Sequence, residues 1–174
     1  MNTYILFLRG VNVGGKNLLP MKDLRSCLGD AGYANVQTYI QSGNIILDSA
    51  ADPAVKVAGV IEKKFGFRPA VMSVTESEFM AAAMQNPFSE EAGNTVHFYF
   101  CPRKPNLDAS KLEKWDANSE RYEVHGNVFY LHAPDGIGRS KLVANIDACL
   151  GVCGTGRNLN TVRKLQDMLQ NRTA

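Results

Sequence analysis

The sequence predicts an α+β protein made of two tandem ferredoxin-like βαββαβ units with antiparallel sheets, each followed by a helix. Three observations carry this expectation. Short β-rich runs and amphipathic stretches follow the order strand, helix, strand, strand, helix, strand, helix, and the order occurs twice. Asn2-Thr3 opens the first strand, and Asn94-Thr95 opens its counterpart. Gly43-Asn-Ile-Ile-Leu47 parallels Gly126-Asn-Val-Phe-Tyr130. The units are expected at residues 1–86 and 94–174.

In the first unit, Thr3–Arg9 is apolar and β-rich and reads as a strand. Pro20 opens a helix with Leu24 and Leu28 on one face, ending near Gly32. Val36–Ile40 and Ile45–Asp48 are short strands around Gly43-Asn44, a pair suited to a two-residue type II′ turn. Asp52–Phe65 carries Val57, Ile61 and Phe65 at helical spacing behind Pro53. Ala70–Val74 is a strand, and Thr75-Glu-Ser-Glu78 is a capping box for a helix reaching Met84. Residues 86–94, with Pro87, Ser89 and Gly93, read as a linker. In the second unit Thr95–Cys101 is a strand and Leu107–Trp115 a helix. Tyr122–Val124 and Val128–His132 flank Gly126-Asn127, and Ser140–Leu150 is a helix stopped by Gly151. Val152–Thr155 reads as a short strand, and Asn158–Gln170 as a closing helix that places Arg157 at its start.

Overlaying the halves exposes an asymmetry. The hairpin repeats after 83 residues but the first strand after 92. The nine-residue difference is expected in the first strand-to-helix loop, Gly10-Val-Asn-Val-Gly-Gly-Lys-Asn-Leu-Leu19, since long loops are often functional. In this topology the first two strands run parallel. Residues 9–17 are therefore expected to meet Gln41–Asn44 at one sheet end.

The 174 residues are 45% hydrophobic and 21% charged, close to the globular average, which excludes collagen, coiled coil and disorder. No apolar run reaches membrane-spanning length. Residues 1–13 lack the basic segment and long apolar run of a secretory signal, and four scattered cysteines form no disulfide framework. A cytoplasmic protein with reduced thiols and no membrane partner is expected. Charge runs from +1 over residues 1–48 through −2 and −1 to +4 over residues 139–174. That basic segment suits a solvated helix face or an anionic partner.

Few motifs carry chemistry. Gly10-x4-Gly15-Lys16 follows a strand as a phosphate loop does, but Asn17 stands where a magnesium-binding hydroxyl belongs and Pro20 delays the helix. A folded-over glycine turn, or loop amides holding a polar or anionic ligand with Arg9, Asn12 and Asn17, fits better. Arg157-Asn158-Leu-Asn160-Thr161 offers a helix cap at Asn158 and a cation suited to an anionic partner. Ser140 and Lys141, at another helix start, either add to such a site or act as cap and surface lysine. His97, His125 and His132 lack metal spacing, Cys149-x3-Cys153 crosses a helix end, and no metal site is expected. Ser42 reads as a turn residue, and no nucleophile elbow occurs. The aromatics at 98–100 and 129–130 read as sheet packing, and weak net charge argues against strong nucleic-acid binding.

Together, Arg9-Gly-Val-Asn-Val-Gly-Gly15, Leu24-Arg25, Thr38-Tyr-Ile-Gln-Ser-Gly-Asn44, Ser140-Lys-Leu142 and Arg157-Asn-Leu-Asn-Thr-Val162 with Lys164-Leu165 occur in an order that resembles the DUF1697 family of bacterial proteins. The likeness spans residue 3 to about 170. It implies a compact cytoplasmic α+β protein without an established activity. Its signature positions are Arg9, Asn12, Gly14, Gly15, Gln41, Ser42, Gly43, Asn44, Arg157, Asn158, Asn160 and Thr161. The family usually carries Ile at Val11 and Trp at Leu159, and Lys16 lies outside its pattern. The expected ligand-binding set is Arg9, Asn12, Gly14, Gly15, Asn17, Gln41, Ser42, Asn44, Arg157, Asn158 and Asn160, serving a small polar or anionic ligand. A weak non-specific nucleic-acid module, an enzyme of unrecognised mechanism and purely structural motifs remain alternatives. Cofactor, reaction and oligomeric state are not read from the sequence.

Overall fold

A computed structural model describes residues 1–173. The chain divides into two compact units, Met1–Met80 and Ala81–Ala174. The first holds strands β1 (Asn2–Arg9), β2 (Ala34–Tyr39), β3 (Asn44–Ser49) and β4 (Ala70–Thr75). Its helices are α1 (Met21–Asp30) and α2 (Ala54–Phe65), and the division falls within α3 (Glu76–Met84). The sheet order is β2-β3-β1-β4 with every pair antiparallel, which is the ferredoxin-like arrangement.

Alternation builds this unit. Tyr4, Leu6 and Leu8 on β1 and Ile45 and Leu47 on β3 point to one face, where Leu24 and Leu28 of α1 and Val57 and Ile61 of α2 cover them. Ile5, Phe7 and Ile46 are buried on the other face, and Phe79 of α3 lies 6.3 Å from Phe7 between ring centres. The expected capping box starts α3. The Glu78 carboxylate accepts from the Thr75 amide at 2.7 Å, and the Thr75 hydroxyl oxygen accepts from the Glu78 amide at 3.2 Å.

The second unit holds β5 (Val96–Phe100), β6 (Arg121–His125), β7 (Val128–His132) and β8 (Thr155–Asn158) in the order β6-β7-β5-β8, again antiparallel. Tyr99, Cys101, Phe129 and Leu131 pack under α4 (Ala109–Trp115), α5 (Lys141–Ala144) and α6 (Ile146–Leu150). Trp115, the sole tryptophan, is half-buried against that core. Phe98, Phe100 and Tyr130 are buried on the other face, and the Tyr130 hydroxyl donates to Ala82 O at 2.6 Å. Helix α7 (Leu159–Thr173) closes the unit with Val162, Leu165 and Leu169 buried.

Four expectations are corrected. The single helix over 140–150 is two short ones, broken at Asn145, whose side chain donates to Lys141 O at 2.8 Å and competes with the helical ladder. The last strand is Thr155–Asn158, not 152–155, so Arg157 sits in β8 opposite Phe98 and not at a helix start. Residues 86–94 are not an open linker. Phe88 is buried beneath His132 and Arg121, Glu91 pairs with Arg121 at 2.8 Å, and Arg163 donates to Ser89 O. Finally, Gly126-Asn127 is the expected two-residue turn, but Gly43-Asn44 is not. The first hairpin has a four-residue loop, 40–43, and Asn44 already belongs to β3, opposite Tyr39. The second unit bonds Cys101 N to Asn127 O where the first bonds Leu8 N to Gly43 O, so the two Gly-Asn pairs lie one residue out of step.

That shift redistributes the extra residues. Two of the nine belong to the longer hairpin loop. Others lengthen α1, which has ten residues against seven in α4. The strand-to-helix loop, residues 10–20, is also longer than its counterpart, residues 101–108.

Candidate functional site

Loop 10–19 is a small hairpin. Lys16 N donates to Val13 O at 3.0 Å across Gly14-Gly15, and these two residues bridge antiparallel. Both glycines have positive φ, +59° and +73°, the requirement of a type I′ turn. Asn12 N donates to Asn17 O at 3.1 Å, and the Asn17 side chain donates to Gly10 O at 3.0 Å, closing the base. Asn12 and Asn17 also have positive φ, which their short polar side chains tolerate.

The expected meeting of this loop with the first hairpin occurs, and Asn12 makes it. Its Nδ2 donates to Leu19 O at 3.0 Å and to Gln41 O at 2.8 Å, with Gln41 Oε1 at 3.2 Å. Its Oδ1 accepts from Leu19 N at 2.7 Å. The carboxamide therefore spends both hydrogens and its oxygen on the protein. Asn44 behaves similarly: it is fully buried and donates to Tyr39 O at 3.0 Å and Ser42 Oγ at 3.2 Å, which shapes loop 40–43. Gly43 lets β1 approach, since a Cβ there would stand 2.8 Å from Leu8 Cβ. Arg9 ends β1 half-buried opposite Ala70. Gly14, Gly15 and Lys16 are exposed, and no group among the described residues accepts from the amides of Gly14 and Gly15.

Arg157, Asn158 and Asn160 belong to the other unit and assemble differently. Asn158 caps α7 as expected, its Oδ1 accepting from Thr161 N at 3.0 Å. Asn160 lies so close over Gly93 that any Cβ there would overlap its Oδ1. Arg157 donates to Gly156 O at 2.8 Å, and burial pushes its guanidinium down to about 10. Sequence reasoning missed this burial, because it placed Arg157 at a helix end and not in a strand.

Three other features bear on chemistry. A groove of about 670 Å³ lies between α1 and α2, lined by Cys27, Val60, Lys63, Lys64 and Phe65 among others, and by none of the expected ligand-binding residues. Burial raises the Cys27 thiol and pushes Cys101 up to about 11, so both stay protonated near neutrality. Glu120 is buried, accepting from Ser140 Oγ at 2.6 Å and Ala117 N at 3.0 Å. Ser140 caps α5 as expected, its Oγ accepting from Val143 N at 3.2 Å, and ties that helix start to the turn before β6. Among the described residues no group of three His, Cys, Asp or Glu is placed to hold a metal ion. Nor is any helix there long and apolar enough to cross a membrane.

Comparison with known proteins places this architecture. A solved structure, the conserved bacterial protein SP0830 from Streptococcus pneumoniae, matches with a TM-score of 0.71 at 24% identity, over 97% of this chain and 98% of that one. At that identity the likeness establishes the fold. No curated protein matches the chain. Residues 1–130 match the family described as Protein of unknown function (DUF1697), and they contain the hydrogen-bonded loops of the first unit and most of the second sheet. With three quarters of its length matched, the chain belongs to the DUF1697 family.

Proposed function

We propose that the protein binds a small polar or anionic ligand at the loop end of the first unit, over residues 9–17 and 41–44, in the cytoplasm. The supporting observation is the exposed Gly14-Gly15 turn, whose amides have no acceptor among the described residues, carried beside Lys16 on a hairpin that Asn12 holds rigid. Successive amides in positive-φ backbone favour negative charge. In this reading the amides of Gly14 and Gly15, with Arg9, Lys16 and Ser42, face the ligand. Asn12, Asn17, Gln41 and Asn44 set the loops that present them. Arg offers five donors in a fixed fork suited to carboxylate or phosphate.

The full use of the Asn12 carboxamide, and the bonds of buried Asn44 to Tyr39 O and Ser42 Oγ, favour a second reading in which the motifs serve the fold alone. Arg9→Ala separates the two. A ligand-facing Arg9 leaves the thermal midpoint of the unliganded protein within a few degrees of the parent, and small carboxylates, phosphate or nucleotides raise the parent midpoint more than the variant's. A structural Arg9 gives a variant destabilised by about 3–5 kcal/mol and a parent that no anion stabilises.

A further inference from the structure

We infer that the ligand of this loop end is an amphiphilic anion, a carboxylate or phosphate joined to an aliphatic chain; this rests on the binding reading above and narrows it. Among the described residues, three of the seven exposed large hydrophobics gather here: Val13 (64% exposed), Leu18 (65%) and Ile40 (47%). Their grouping follows from one side chain. The Asn12 carboxamide joins the backbone of Leu19 and Gln41, and Val13, Leu18 and Ile40 are the chain neighbours of Asn12, Leu19 and Gln41. Rigid backbone thus holds three aliphatic groups in water around one polar knot.

Charge sets the other half of the ligand. Residues 9–25 contain four cations, Arg9, Lys16, Lys22 and Arg25, and one carboxylate, Asp23. Arg25 is held toward the hairpin, its Nη1 donating to Thr38 Oγ1 at 2.6 Å. A wholly polar ligand leaves Val13, Leu18 and Ile40 hydrated, whereas an aliphatic chain removes their surface from water while its head meets the cations. A nucleobase finds no aromatic partner in residues 10–19 or 40–43.

The test follows amide chemical shifts of the full-length, isotope-labelled protein titrated with acetate, octanoate and octanol below micellar concentrations, and with phosphatidylglycerol vesicles. Octanoate is expected to shift residues 10–19 and 40–43 and to bind at least about tenfold more tightly than acetate, a gain smaller than two fully buried methylenes provide. Ile40→Gly, which suits the positive φ of that position, and Leu18→Ser are each expected to cut this advantage several-fold, and Lys16→Ala to weaken both anions. Octanol binding as tightly as octanoate overturns the anionic half. Equal binding of acetate and octanoate overturns the aliphatic half and leaves the proposed function standing. Silence of both loops toward every anion overturns both readings. Shifts from vesicles alone, with none from octanoate, overturn a small-ligand site.

Discussion

Asn12 is where local backbone and tertiary contact meet. Its φ of +53° is one that Asn adopts more readily than Ala, and its carboxamide bonds three backbone groups of two other residues. Asn12→Ala is expected to lower stability by about 1–3 kcal/mol in urea unfolding, because it strands partly buried partners and strains the backbone. The sequence showed Asn12 as a motif residue and ligand donor. Its inward use was not legible, because which way a carboxamide turns depends on Leu19 and Gln41, one seven and the other 29 positions away. His97 is a second case. It is buried on β5, its Nε2 has no hydrogen-bond partner among the described residues, and burial lowers its pKa from the usual 6.5. The unfolded chain then binds the proton first. The neutral ring's contribution is present in full above pH 6.5 and is lost progressively as pH falls from there through the lower folded value. His97→Leu, which removes the orphaned nitrogen, is expected to flatten the acid-side decline in stability measured by denaturant midpoints from pH 7 to 5.

At the scale of elements, periodicity made β1, α1, α2, β4 and the capping box of α3 readable, since each combines an apolar face with a clear terminal signal. What failed was chemistry shared by two structures. Gly-Asn reads as a turn at both 43–44 and 126–127, yet only the second is one. In the first, Asn44 takes the strand position that Val128 fills in the other unit, and Ile40 takes the left-handed backbone with φ of +50°. A β-branched residue there is strained, so Ile40→Gly is expected to raise unfolding free energy or leave it unchanged, although glycine normally weakens a fold. Loop 10–17 also closes as a hairpin before α1 begins at Met21, so Lys16 does not start a helix as a phosphate-loop lysine does. No steady ATP turnover is expected, and turnover abolished by Lys16→Ala would contradict this.

For the whole molecule, the repeated element order gave both sheets correctly, because each unit supplies its own two-sided alternation. The extent of the segment packed with the second sheet was hidden. Phe88 sits among Pro87, Ser89 and Gly93, and a composition-based reading counts the breakers before the one buried ring. Net charge is +2 for 174 residues, with an excess of four cations after residue 138. Any nucleic-acid binding is therefore expected to be weak and to vanish with added salt, each neutralised phosphate contributing about 0.9 to the logarithmic salt slope on duplex DNA. A complex that survives high salt would refute that.

Trp115 gives the duplicated chain a private optical reporter. It is the only indole, and it packs on the core of the second unit, so intrinsic emission excited at the red edge follows that unit alone. Far-ultraviolet dichroism sums the helices and strands of both. Comparing the two signals through one denaturant titration therefore asks whether the duplicates melt together. Coincident curves mean a single cooperative transition. A dichroism change that precedes or follows the shift in emission assigns the weaker copy without cutting the chain or adding a label.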